Sequence, residues 1–158
     1  MPLVVDTFKA GTIDVTQSIT INGQPVGGDG WITETIEVSS AEILALGDTK
    51  TPNPLELLPA PGENKYYTWY GVVEFFPGLI PYKTSGSLSI RMDKTQFGLP
   101  SDLLTQLSIV VTPFNLFLGN EDYFVVNKNI TLSYSGLSSI TDGDGTLKIK
   151  ITYKINEI

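Results

Sequence analysis

Patterning in this chain predicts an all-β domain, an antiparallel β-sandwich of jelly-roll type with one short helix and an extended N-terminal arm. Three observations lead there. Leu147, Ile149, Ile151, Tyr153 and Ile155 alternate strictly with Lys148, Lys150, Thr152 and Lys154, and that period of two specifies one buried and one solvated face. About eight to ten runs rich in β-branched and aromatic residues are separated by Gly, Pro, Asn and Asp at sandwich-like spacing. Only one stretch reads as a helix, and no alternation of strands with helices suggests a parallel sheet.

Residues 1–30 form the expected arm. They hold two small β-like pieces, Leu3–Val5 and Ser18–Ile21, among five glycines. Asn22-Gly23 is a two-residue hairpin signal, and Gly27–Gly30 reads as a joint into a globular part spanning 31–158. The glycine run is not a dinucleotide fingerprint, because no strand-to-helix context surrounds it.

The globular part begins with alternation at Ile32, Glu34, Ile36 and Val38. Ser39 and Glu42 then match a capping box. Ala41–Leu46 predicts a helix of about two turns, stopped by Gly47 and lidding one end of the sandwich. Leu55–Leu58 predicts a strand, with a tight reversal at Pro59–Gly62. Tyr66–Phe76 is the richest β segment, and Gly71 within it marks a bulge or a close backbone approach. Gly86–Met92 alternates again, and Gln96–Ser101 reads as a loop. Two alternatives stand for the next segment: a turn of helix over Asp102–Gln106 capped by Ser101, or strand over Leu103–Thr112. Val110–Thr112 favours strand at the end, which Pro113 stops. Strands follow at Tyr123–Val126 and Ile130–Tyr134, a hairpin turn at Asp142–Gly145, and a closing strand over Thr146–Ile155.

Composition narrows the function. The chain has 158 residues, no Cys, no His and a net charge of −7. That length suits one domain with a core of its own. Without Cys there are no disulfides or thiolate metal sites, and without His the commonest general base and zinc ligand are missing. An acidic chain with no basic run is a poor nucleic-acid binder. No apolar run approaches the roughly 20 residues of a membrane helix. The N-terminus lacks the basic start and apolar core of a signal peptide, so synthesis and assembly in a cytoplasm are expected.

Candidate sites are weak. Asp142-Gly-Asp144-Gly resembles the start of a calcium loop, but Tyr153 stands where the twelfth-position Glu is required. Glu121 and Asp122 offer carboxylates without an evident partner. Glu63 and Glu74 form a glycosidase pair only on paper. No G-x-S-x-G elbow is present. Tyr66, Tyr67, Trp69 and Tyr70 suggest either core pairs or a sugar platform, and the lysines of the last strand read as a soluble face. Two apolar segments in loop-like settings stand out. They make Phe75, Phe76, Leu79, Ile80 and Tyr82, with Phe114 and Phe117, the candidate subunit or partner contacts. The alternative for Pro77–Tyr82 is a loop folded back over the sandwich end. No catalytic, cofactor or metal-binding residue is expected.

The runs Glu37–Leu46 and Leu55–Gly62, with Gly143-Asp144-Gly145-Thr146-Leu147 near the C-terminus, resemble a module of tailed-phage virion proteins. Ile19–Gly23 also resembles the strand-turn pieces that precede heads in phage fibre-like proteins. The likeness spans roughly Ile36–Ile155, loosely in the middle. Asp48–Asn53 and the apolar Phe75–Tyr82 loop depart from it. It implies a non-enzymatic structural protein, commonly trimeric, that decorates or cements a capsid. Its partners would be its own copies and the major capsid or another virion protein, and its location the virion. Neither nucleic acid nor membrane is an implied partner. A receptor-binding fibre head, with a host glycan as ligand, is the alternative; a carbohydrate-binding module is a third reading.

Overall fold

The computed structural model describes residues 19–21, 24–26, 30–116 and 125–158. The chain divides into two units, Met1–Gly30 and Trp31–Ile158. In the first, β1 (Ile19–Ile21) pairs antiparallel with β2 (Gln24–Val26), with Ile21 opposite Gln24. The Asn22-Gly23 hairpin signal falls between these strands, at positions outside the described residues. The expected Leu3–Val5 strand and most of the glycine joint fall outside the described residues.

The second unit is a sandwich of two antiparallel four-stranded sheets. Its strands are β3 (Ile32–Val38), β4 (Leu55–Leu58), β5 (Lys65–Phe76), β6 (Ser87–Met92), β7 (Thr95–Gly98), β8 (Val110–Leu116), β9 (Ile130–Ser135) and β10 (Thr146–Glu157). The first sheet has the order β3-β10-β5-β8 and the second β4-β9-β6-β7. Pairing is nested: β3 with β10, β4 with β9, β5 with β8 and β6 with β7. The spine is β10 against β5, in register from Thr146↔Phe76 to Glu157↔Lys65.

Side-chain alternation builds the core. Leu147, Ile149, Ile151 and Tyr153 of β10 turn inward with Tyr67, Trp69, Val73 and Phe75 of β5. Leu88, Ile90 and Met92 of β6 and Ile130, Leu132 and Tyr134 of β9 join them in one cluster. Helix α1 (Ser40–Leu44) follows β3. The capping box is complete: the Ser39 amide donates to Glu42 Oε2 at 2.8 Å, and the Ser39 hydroxyl accepts from the Glu42 amide at 3.3 Å. The helix is shorter than the expected two turns. Leu46 nevertheless buries beyond its end, just before Gly47 turns at φ +78°.

Several expectations are corrected. Pro113 does not end a strand; it lies inside β8, opposite Val72. β8 is an edge strand, where a missing N–H costs no ladder bond. Gln96–Ser101 is not all loop, because Thr95–Gly98 pairs with β6 through a two-residue turn whose first residue, Asp93, has φ 54°. Ser101 caps nothing: a single 3-10 turn, Leu103–Thr105, starts from Asp102 without a side-chain cap and buries Leu103 and Leu104. The Asp142–Gly145 segment is not a hairpin turn, and the reversal at Gly62 likewise joins two sheets. Each carries the chain from one sheet to the other, from β4 to β5 and from β9 to β10. Of the Tyr123–Val126 strand, the described part makes only a bridge, Val126 with Tyr66.

Candidate functional site

The predicted contact residues separate on inspection. Phe75, Tyr82 and Phe114 are at most 3% exposed within the single chain, so they serve the core and offer no surface to a neighbour. Their neighbours explain why: Phe75 meets the Tyr82 ring at 6.4 Å, and Phe114 meets Trp69 at 5.6 Å and Phe97 at 6.0 Å. Phe76 is half-buried. Leu79 is 96% exposed and Ile80 55%. Phe117, Glu121 and Asp122 lie outside the described residues.

The loop after β5 folds back on the β9–β10 crossover. The Tyr82 hydroxyl donates to the Gly145 carbonyl at 2.6 Å, and Asp144 Oδ1 accepts from the Ile80 amide at 2.8 Å. Lys83 pairs with Asp142 at 2.9 Å. That hydrogen bond, reinforced by the charge, holds the Lys83 ammonium above its usual range. The two aspartates of the calcium-like turn are thus engaged in closing a loop. Leu79 and Ile80 project from its outer side.

Glu63 precedes β5 and Glu74 lies near its other end. Nine strand residues at about 3.3 Å each separate Lys65 from Glu74 by roughly 30 Å, well outside the spacing of a glycosidase pair. Among the described residues, no three His, Cys, Asp or Glu side chains gather to hold a metal, and no helix is long and apolar enough to cross a membrane.

What remains is the outer face of the first sheet. Where β3, β5 and β10 end together, a recess of about 520 Å³ opens between Glu37, Val38, Ser39, Phe76, Thr146, Leu147 and Lys148. Lys148 Nζ lies 3.9 Å from Glu37 and 5.6 Å from the centre of the Phe76 ring. The Ser39 hydroxyl is committed to Glu42, at 2.6 Å. The recess thus presents a neutralised ion pair on apolar walls, an arrangement suited to contact rather than proton transfer.

Farther along the same face, the proposed aromatic platform splits. Tyr67 and Trp69 point into the core, and Tyr70 points out. Tyr70 meets Trp31 at 5.5 Å between ring centres. Trp31 is a residue that patterning alone did not single out, because it sits at the junction of the glycine joint and β3. Leading into the β8 edge, Leu107 and Ile109 are 81% and 61% exposed, and Val111 within the strand is 56% exposed. The register places Val72 opposite Pro113 and Glu74 opposite Val111. This row escaped notice because the segment read equally as helix.

No protein-family model matches the sequence, and no curated protein matches it at a significant level.

Proposed function

We propose that the chain is a non-enzymatic structural protein of a tailed-phage virion, a trimer that decorates or cements the capsid. The observation that carries this reading is the nested pairing β3–β10, β4–β9, β5–β8, β6–β7. We read it as a jelly roll, an architecture that recurs in viral capsid domains. The motif resemblance at Glu37–Leu46, Leu55–Gly62 and Gly143–Leu147 supports the phage assignment. The exposed apolar row at Leu107, Ile109 and Val111, with Leu79 and Ile80, supports contact with other copies and with a capsid protein.

Particles assembled without this protein provide the test. Purified chain added to them should sediment with the capsids and appear as discrete surface density in images. Binding to host cells with no binding to capsids would overturn the decoration reading in favour of a fibre head. One observation favours that second reading: the Trp31–Tyr70 pair stands exposed on a sheet face, and lectins also use this architecture.

A further inference from the structure

Trp31 and Tyr70 are 41% and 48% exposed, yet they meet at 5.5 Å with their planes 59° apart. By contrast the Trp69–Phe114 and Tyr67–Tyr153 pairs are buried. The register explains how they meet: Thr152 of β10 lies opposite Tyr70 on one side and Thr33 on the other. Trp31, two residues before Thr33, leans over the central strand to reach Tyr70. Beneath and beside the rings are short polar groups. The Thr33 and Thr152 hydroxyls are 2.9 Å apart, and Asn156 Nδ2 donates to the Thr68 hydroxyl at 3.0 Å.

The charges on this face are as selective. Lys148, Lys150 and Lys154 all point outward from β10, in a chain of net charge −7. Lys148 is held by Glu37. Among the described residues the other ion pairs are Lys65–Glu157, Lys83–Asp142 and Lys128–Asp93, so Lys150 and Lys154 have no ion-pair partner. Four residues of strand put their Cα atoms about 13 Å apart, with Thr152 and the aromatic pair between them.

We propose that this face binds an acidic glycan, a short saccharide carrying ring carboxylates. A sugar ring stacks its C–H face on Trp31 and Tyr70. Its hydroxyls bond to Thr33, Thr152 and Asn156. Its carboxylates take the ammonium groups of Lys150 and Lys154. Single-stranded nucleic acid also uses aromatic platforms with cations, but its closely spaced phosphates demand more than two free lysines beside Glu37 and Glu74, which both lie opposite Lys148 on this face. The inference does not depend on the virion reading; it holds for a capsid surface and a fibre tip alike.

The chain has two tryptophans, and Trp69 is buried, so fluorescence quenching reports on Trp31. The probes are hexagalacturonate, a hyaluronan tetrasaccharide and sialyllactose, with xylohexaose and lactose as neutral counterparts and oligo(dT) as the competing polyanion. At least one acidic saccharide should quench saturably and more tightly than the neutral sugars. The Lys150→Gln/Lys154→Gln variant should weaken that binding about tenfold through lost charge-assisted hydrogen bonds. Trp31→Phe should remove the fluorescence signal and weaken binding by calorimetry. Outward positions make the lysine variant safe for folding, so it decides the matter even if Trp31→Phe disturbs the sheet. The proposal is overturned by absence of saturable binding across the acidic probes, by equal binding of neutral sugars, by an unaffected lysine variant, or by tighter binding of oligo(dT). It is also overturned if sedimentation shows that a second copy of the chain covers this face.

Discussion

Gly71 shows how little room the interior leaves. A methyl group there would run into the Lys150 carbonyl on one side and the Phe114 ring on the other. Patterning alone left two meanings for this glycine, a bulge or a close approach. Unbroken register on both sides, Ile151↔Gly71 and Gly71↔Phe114, decides for close approach. Gly71→Ala should therefore destabilise the domain by about 2–3 kcal/mol through overpacking, read from the midpoint of urea unfolding. Tyr82 was expected at a contact surface and instead is interior, because its partner is the Gly145 carbonyl, sixty-three residues away. Sequence separation of that kind is invisible to local patterning. Burial, with the nearby Asp144 carboxylate, pushes the Tyr82 hydroxyl from 10.0 up to about 12. The folded state thus favours the neutral phenol. Its stabilising share is fully present below pH 10 and is lost as pH rises from 10 toward 12. Tyr153, buried and donating to Glu34 at 2.6 Å, is shifted the same way. Tyr82→Phe should cost about 1–2 kcal/mol at neutral pH, since Gly145 loses a buried donor. It should also make the alkaline fall in stability shallower without abolishing it, as Tyr153 remains.

Elements were legible where their signals are local. The Ser39–Glu42 box marks the start of α1, and the β10 alternation marks its buried face, because both devices act within a few residues. Ser39→Ala removes the cap and should lower stability by about 1 kcal/mol, measured by thermal melting. The Ser39 hydroxyl, then its amide, holds the Glu42 carboxyl below its usual range. The cap therefore contributes above the ordinary Glu pKa and fades as pH falls through the lowered value, so the difference between Ser39→Ala and the parent should shrink in acid. Elements defined by their place in a sheet were not legible. β7 is four residues with one large apolar side chain, Phe97, and only its pairing to β6 makes it a strand. Pro113 breaks a central strand but suits an edge, and no local pattern reveals which strand is an edge. β3, the other edge of that sheet, turns the Glu34 carboxylate inward against Tyr153. An inward charge discourages another strand from extending the sheet there.

At the scale of the molecule, nested pairing makes the domain a product of distant contacts. Its β3 pairs with its last strand, β10, so folding must bring together the two ends of 31–158, the kind of topology that folds slowly. Every residue of the described core lies within that unit, and a chain of residues 31–158 is expected to fold with a cooperative melt. Assembly is the harder question for the outer surface. Leu107 and Ile109, leading into the β8 edge, and Val111 within it stand exposed, and Leu79 and Ile80 add apolar surface on the loop after β5. Grouped exposed apolar side chains mark interfaces more often than they mark free surface, and identical chains usually close into small cyclic rings. The proposed trimer should persist in sedimentation at tens of micromolar. Leu107→Asp/Ile109→Asp should convert it to monomer. The monomer's own melting temperature should barely change, because both side chains already face water in the single chain. A parent chain that sediments as monomer would remove the trimer in free solution. A double variant that stays trimeric would relocate the contact, with Leu79 and Ile80 the next residues to charge.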